Sequence, residues 1–149
     1  MRFFIVFSTL IAPLLSATLV PMPRGIVLGE GKLLVDVQTA VIAPDYLSPQ
    51  AVVLTAALQK TTGYVHRFRT IKQVARLRYK RAIKLSLGKF EKPEFYRIEI
   101  TPEGATIQGS DIPGLMHGIQ TMAQLLPVAE KPLPRALIPA QVIEDWPEN

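Results

Sequence analysis

Residues 95–127 read FYRIEITPEGATIQGSDIPGLMHGIQTMAQLLP, and this stretch decides the fold class. Tyr96, Ile98 and Ile100 alternate with Arg97, Glu99 and Thr101, the period of a strand with one buried face. Pro102-Glu103-Gly104 is a turn, and Ala105 to Gly109 returns as the partner strand, making a hairpin. Pro113 then opens a helix that runs to about Leu126. Leu115, Ile119, Met122 and Leu126 form its apolar stripe, widened by Met116 and Ala123. Gly114 and Gly118 lie four apart on one side of it. Each glycine costs a helix about 1 kcal/mol against alanine. A close approach of the helix to a sheet would offset that cost. Pro127 ends the helix.

On the C-terminal side, Pro132 and Pro134 keep a loop extended, and Leu137 to Ile143 is a further strand-like run before Glu144-Asp145-Trp146-Pro147. On the N-terminal side, Ala82 to Leu87 is a strand with Ile83, Leu85 and Leu87 on one face. Ser48-Pro49 opens an earlier helix, with the serine placed to cap free amides and Leu47, Ala51, Leu54 and Leu58 as its stripe. Gly63 suits a left-handed cap at its end. Leu19 to Arg24 is an extended lead-in with two prolines. Gly25 to Leu28 and Lys32 to Val37 read as short strands around the turn Gly29-Glu30-Gly31, and Thr39 to Ala43 as a third β-rich run. Tyr64 to Arg69 could be a strand, and Thr70 to Arg81 a short helix or an exposed loop. The fold class is α+β: a mainly antiparallel sheet with two helices packed on one face.

The 149 residues suit one domain, and 48% hydrophobic against 19% charged residues is the composition of a globular chain with a core. There is no cysteine, which excludes disulfides, thiolate zinc sites and cysteine nucleophiles. The start, MRFFIVFSTLIAPLLSA, has a positive Arg2, an apolar stretch from Phe3 to Leu15 and small residues at Ser16-Ala17. That is the arrangement of a secretory signal peptide over residues 1–17, and it predicts an exported protein, periplasmic or extracellular. The apolar run is short of the roughly 20 residues a stable membrane span needs. Residues 18–147 then form the mature domain.

The net charge is +5, and eleven of the seventeen Lys and Arg residues lie between Lys60 and Lys92, opposed there by Glu91 alone. Arg67, Arg69, Lys72, Arg76, Arg78, Lys80 and Arg81 are the candidate anion-binding residues, for example for an anionic glycan. A solvated face with no partner is the plainer reading, and export argues against nucleic acid. Glu144-Asp145 is the one adjacent acidic pair, but neighbours on a strand point to opposite faces and make a poor acid/base couple. His66 and His117 form no zinc-binding pattern, and Gly29-Glu30-Gly31 lacks the lysine of a phosphate loop. Ser48 and Ser110 read as caps or turn residues, and Trp146 as a ring that could stack on a sugar or, the plainer reading, be buried against a neighbouring domain. No catalytic residue, metal site or cofactor is expected.

The run from Phe95 to Pro147 resembles the small domain that precedes the barrel in glycoside hydrolase family 20, the β-N-acetylhexosaminidases. The features carrying the resemblance are consecutive: the Tyr-led strand, the Pro-Glu-Gly turn, Gly109-Ser110-Asp111, and a helix with Gly118-Ile119-Gln120-Thr121 and Gln124-Leu125-Leu126-Pro127. Ile138-Pro139 and Asp145-Trp146-Pro147 follow in order. Leu19 to Pro23 resembles the opening of the same domain, and Thr62-Gly63-Tyr64 the end of its first helix. The resemblance implies a sheet with two helices on one side, and a non-catalytic domain that packs against a (β/α)₈ barrel. In the family an Asp-Glu pair on that barrel does the chemistry, with the substrate's own acetamido group as nucleophile. Here Glu148 and Asn149 follow Pro147, so the barrel is expected to be absent from this chain. The expected partners are such a barrel, or a second copy meeting the exposed docking face.

Overall fold

The computed structural model describes residues 19–74 and 81–148. Seven strands form one sheet: β1 (Gly25–Val35), β2 (Val41–Ala43), β3 (Phe68–Thr70), β4 (Ile83–Leu87), β5 (Tyr96–Thr101), β6 (Gly104–Gly109) and β7 (Ala136–Asp145). Their spatial order is β1-β7-β5-β6-β4-β2-β3. The pairs β1–β7, β5–β7 and β5–β6 are antiparallel, whereas β4–β6, β2–β4 and β2–β3 are parallel. The fold is α+β as expected and most paired residues are antiparallel, but the sheet is mixed, because β4, β2 and β3 join it in parallel. The chain leaves β2 through a helix, α1 (Ser48–Thr62), and leaves β6 through another, α3 (Ile112–Leu125). The α1 crossover returns β3 in parallel beside β2, whereas α3 leads to β7, which pairs antiparallel with β1 and β5. A four-residue helix, α2 (Ile71–Val74), follows β3.

Both long helices pack on one face of the sheet, α3 over β4 to β6 and α1 over β2 and β3. Between them and the sheet lie Leu54, Leu58, Ile83, Ile98, Ile107, Leu115, Ile119 and Met122, all fully buried. Each such side chain contributes roughly 1.5–3 kcal/mol relative to an exposed one. The opposite face is polar, with Lys84, Arg97 and Glu99 at the surface.

α3 meets the sheet at its glycines. A Cβ on Gly114 would stand 2.4 Å from the Phe95 carbonyl oxygen, and one on Gly118 2.8 Å from Ile107. The helix thus comes closer than any side chain there would allow, as the spacing of the two glycines predicted. Asp111 caps the helix: its carboxylate accepts from the Gly114 N–H at 2.8 Å and from the Glu94 N–H at 3.0 Å. Ser110 has a turn role, accepting from the Phe95 N–H at 3.0 Å.

Two local readings change. The segment Gly29-Glu30-Gly31 is not a hairpin turn. It is an irregularity inside β1, because Leu28 pairs with Gln141 and Lys32 with Pro139 of the same strand. Three residues of β1 therefore stand against Ala140, with Gly31 at φ 85°. The pleat of β7 changes phase at that point, so Ile138 and Ile143, an odd number of residues apart, both enter the core. Ser48 does not cap α1. A 3-10 turn, Asp45–Leu47, precedes the helix, and the Ser48 hydroxyl donates back to the Asp45 carbonyl. At the other end Gly63, at φ 78°, closes α1 as predicted.

Candidate functional site

The positions singled out from sequence do not converge. Of the basic set, Arg67 and Lys72 are exposed beside β3, and Arg69 on that strand is half-buried. Arg81 is turned to a structural task, its guanidinium 2.8 Å from the Asp36 carboxylate. Arg76, Arg78 and Lys80 lie outside the described residues. So does the leader expected over residues 1–17. Among the described residues, no helix is long and apolar enough to cross a membrane.

Glu144 and Asp145 part to opposite faces, as neighbours on a strand must. Glu144 lies opposite Arg97 in register and pairs with it at 2.8 Å on the polar face. Asp145 lies opposite Tyr96 on the helix side and accepts from the Arg24 N–H at 3.2 Å. His66 is buried. Its Nδ1 lies 2.9 Å from the Thr39 carbonyl, which can only accept, and its Nε2 2.7 Å from the Thr62 hydroxyl. That geometry pins the loop after α1 to the start of β2. His117 is half-exposed on α3, 3.6 Å from the Glu94 carboxylate.

One cavity gathers several of these groups. It has a volume of about 180 Å³ and lies between α3, the end of β7 and the lead-in, with Glu94, Tyr96, His117, Gln120, Asp145 and Trp146 in its wall. The Tyr96 hydroxyl lies 2.8 Å from that of Thr121. Burial pushes the phenol above its ordinary value near 10, the Thr121 hydrogen bond opposes this, and the Asp145 charge adds to it. Glu94 holds a left-handed φ of 55°, a conformation that costs a non-glycine residue of order 1 kcal/mol or more. The Asp111 hydrogen bond to its N–H helps to hold it.

Trp146 forms the rim. The Lys92 ammonium sits 3.4 Å from its ring centroid and the Arg24 guanidinium 5.0 Å, while Phe95 stacks at 5.9 Å. The Arg24 Nε also donates to the Trp146 carbonyl at 3.0 Å. This cluster ties the lead-in to the end of β7. Sequence reasoning missed it because Arg24, Lys92 and Trp146 are far apart in the chain; the chain's one tryptophan was the only signal. A second, shallower hollow of about 350 Å³ lies on the polar face, around Lys84, Glu99, Glu103 and Thr106. In the small cavity Asp145 is held by Arg24 and Glu94 faces His117, so both acids have partners. The geometry is that of a braced junction. Among the described residues, no cluster of three or more His, Cys, Asp or Glu is placed to hold a metal ion.

A comparison with curated proteins finds no match. Solved structures do match. The chain is similar to the GH20 β-N-acetylhexosaminidase of Streptomyces coelicolor A3(2), with 28% identity and a TM-score of 0.65 over 83% of this chain and 25% of that one. It is similar to the Streptomyces plicatus N-acetyl-β-hexosaminidase, with 26% identity and a TM-score of 0.65 over 87% of this chain and 26% of that one. The GH20 exo β-N-acetylglucosaminidase of Vibrio harveyi shares the fold, with a TM-score of 0.69 at 19% identity over 89% of this chain and 19% of that one. The chain thus spans a quarter or less of the first two structures matched, those from S. coelicolor and V. harveyi. The family model for glycosyl hydrolase family 20, domain 2, matches residues 16–146, and the chain belongs to that family.

Proposed function

We propose that this chain is a non-catalytic supporting domain of an exported β-N-acetylhexosaminidase, and that hydrolysis of terminal N-acetylhexosamine residues is the work of a catalytic barrel packed against it. The observation that carries this reading is the outer side of the helix layer. On α1, Val52 is 58% and Val53 42% exposed, with Ala56 beside them. On α3, Ile112 is exposed and Met116 half-buried. A helix on the surface of a lone domain turns polar residues outward, whereas one apolar all round is built to be covered. The outward Val52, Val53 and Ala56 therefore favour a second layer of protein over this part of α1, while α3 turns the polar His117, Gln120 and Gln124 outward beside Ile112. Export rests on the pattern of residues 1–17.

The reading is tested by incubating the purified chain with an aryl N-acetylglucosaminide. No release of the aryl group is expected. Turnover that stays with the chain through successive purification steps would refute the proposal.

Arg67 and Lys72, both exposed at the β3 edge, favour a second reading, in which the basic segment holds an anionic polysaccharide. Binding would then weaken steeply with added salt. A salt titration showing no binding at low ionic strength removes that reading.

A further inference from the structure

The two edges of the sheet are β1 and β3. A bare edge strand is a template for another strand, and proteins protect it with charge, proline, irregularity or shortness. The β3 edge is protected: it has three residues and carries Arg67, Arg69 and Lys72 on and beside it. β1 has eleven residues and, among the described residues, is hydrogen-bonded on one side only, to β7. Its second half is shielded by the irregularity at 29–31 and by Glu30 and Lys32. Its first half is not. Ile26, Val27 and Leu28 are consecutive, uncharged and exposed, Val27 at 68% and Leu28 at 74%.

We infer that the Gly25–Leu28 half of β1 is a self-association edge, pairing antiparallel with the same segment of a second copy about a twofold axis through Val27. A sheet continued across a twofold axis normal to its plane keeps its two faces. Each residue must then meet one of the same parity. Centring on Val27 meets that condition: Val27 faces its own counterpart, and Ile26 faces Leu28 in both directions. Every pair so formed is apolar, and each removes exposed surface from water. A register centred on Gly31 would match Glu30 with Lys32, but the irregularity there breaks the ladder.

Charge also selects a second copy at this edge. The chain carries a net +5, concentrated between Lys60 and Lys92. Arg67, Arg69 and Lys72 of that segment lie beside β3, six strand spacings from β1, about 29 Å at the usual inter-strand distance, while its Lys92 meets Trp146 beside Arg24. Pairing through β1 places the two basic ends at opposite limits of a doubled sheet, several Debye lengths apart. Pairing through β3 would bring them together. This edge is separate from the helix face assigned above to a catalytic partner, so the two inferences stand or fall independently.

Sedimentation equilibrium of the purified chain over a range of concentrations tests the proposal. A monomer–dimer equilibrium is expected. Val27→Lys should weaken it about tenfold or more, because like charges then meet on the axis. Leu28→Lys should weaken it as well, and far-UV circular dichroism should report both variants folded. Val53→Lys, on the helix face, should leave the equilibrium unchanged. Val27→Glu alone should weaken it as Val27→Lys does, but an equimolar mixture of the Val27→Lys and Val27→Glu variants should associate more tightly than either variant alone. The proposal is overturned if the chain is monomeric at every concentration, or if association survives Val27→Lys. It is equally overturned if association depends on Val53, or is lost only when residues 1–17 are removed.

Discussion

At α3 the helix backbone touches the sheet, Gly114 against Phe95 and Gly118 against Ile107, with the Asp111 carboxylate tying helix start to strand start. At the opposite end, β2 and β3 have three residues each, and β3 has no fully buried side chain. β2 is buried, and its Val41 and Ala43 join the core beneath α1, so the weak part of this end is β3; polar contacts brace it, His66 between Thr39 and Thr62 and Arg81 on Asp36. The contrast teaches where a domain of this kind keeps its rigidity. The half formed by α3, β5, β6 and β7 is dry and close-packed, and it carries the braced junction at Trp146. The β2–β3 half closes the sheet and holds the exposed basic side chains.

Substitutions should separate the halves. The largest effect is expected for Gly114→Val. Its Cβ would press on the Phe95 carbonyl and the Glu94 backbone, neither of which can move without shifting a strand. We expect a loss of about 3 kcal/mol or more, read from chemical denaturation. Asp111→Ala comes next. It strips two hydrogen bonds, to Gly114 and Glu94, and should cost about 2 kcal/mol. The Tyr96 phenol gives a pH signature for the same half. Its folded-state value lies above its unfolded one because burial disfavours the phenolate. The group is therefore neutral below pH 10 in both states, and the unfolded chain loses its proton first as pH rises. Stability should fall from about pH 10 upward, and Tyr96→Phe should flatten that limb of a melting-temperature profile. The smallest effect belongs to the other half. Arg81→Ala removes a partly exposed ion pair with Asp36 and should cost about 1 kcal/mol or less. A cost equal to that of Gly114→Val would erase the comparison.

The same division governs what the sequence reveals. The β5–β6 hairpin and α3 were legible because alternation, turn and stripe are local signals, and the two glycines announced their own close contact. The parallel pairings of β4, β2 and β3 were not, since alternation reports which face is buried and nothing about strand direction. Gly29-Glu30-Gly31 has the composition of a hairpin turn, yet both its flanks pair with β7, more than a hundred residues away. Ser48 looked like a cap because its sequence does; the 3-10 turn before it had already started the helix. At the junction, the opposed faces of Glu144 and Asp145 followed from strand geometry. The cations around Trp146 come from remote segments, and only the fold assembles them.

Under the proposed supporting role, the domain works by being rigid where its partner rests. Native-state hydrogen exchange, resolved by residue, measures that directly. The account predicts that amides of Ile98, Ile107 and Ile119 exchange only through global unfolding, while those of Phe68 and Arg69 exchange through a smaller, local opening. Equal protection across the sheet, or earlier opening of α3 than of β3, would contradict it.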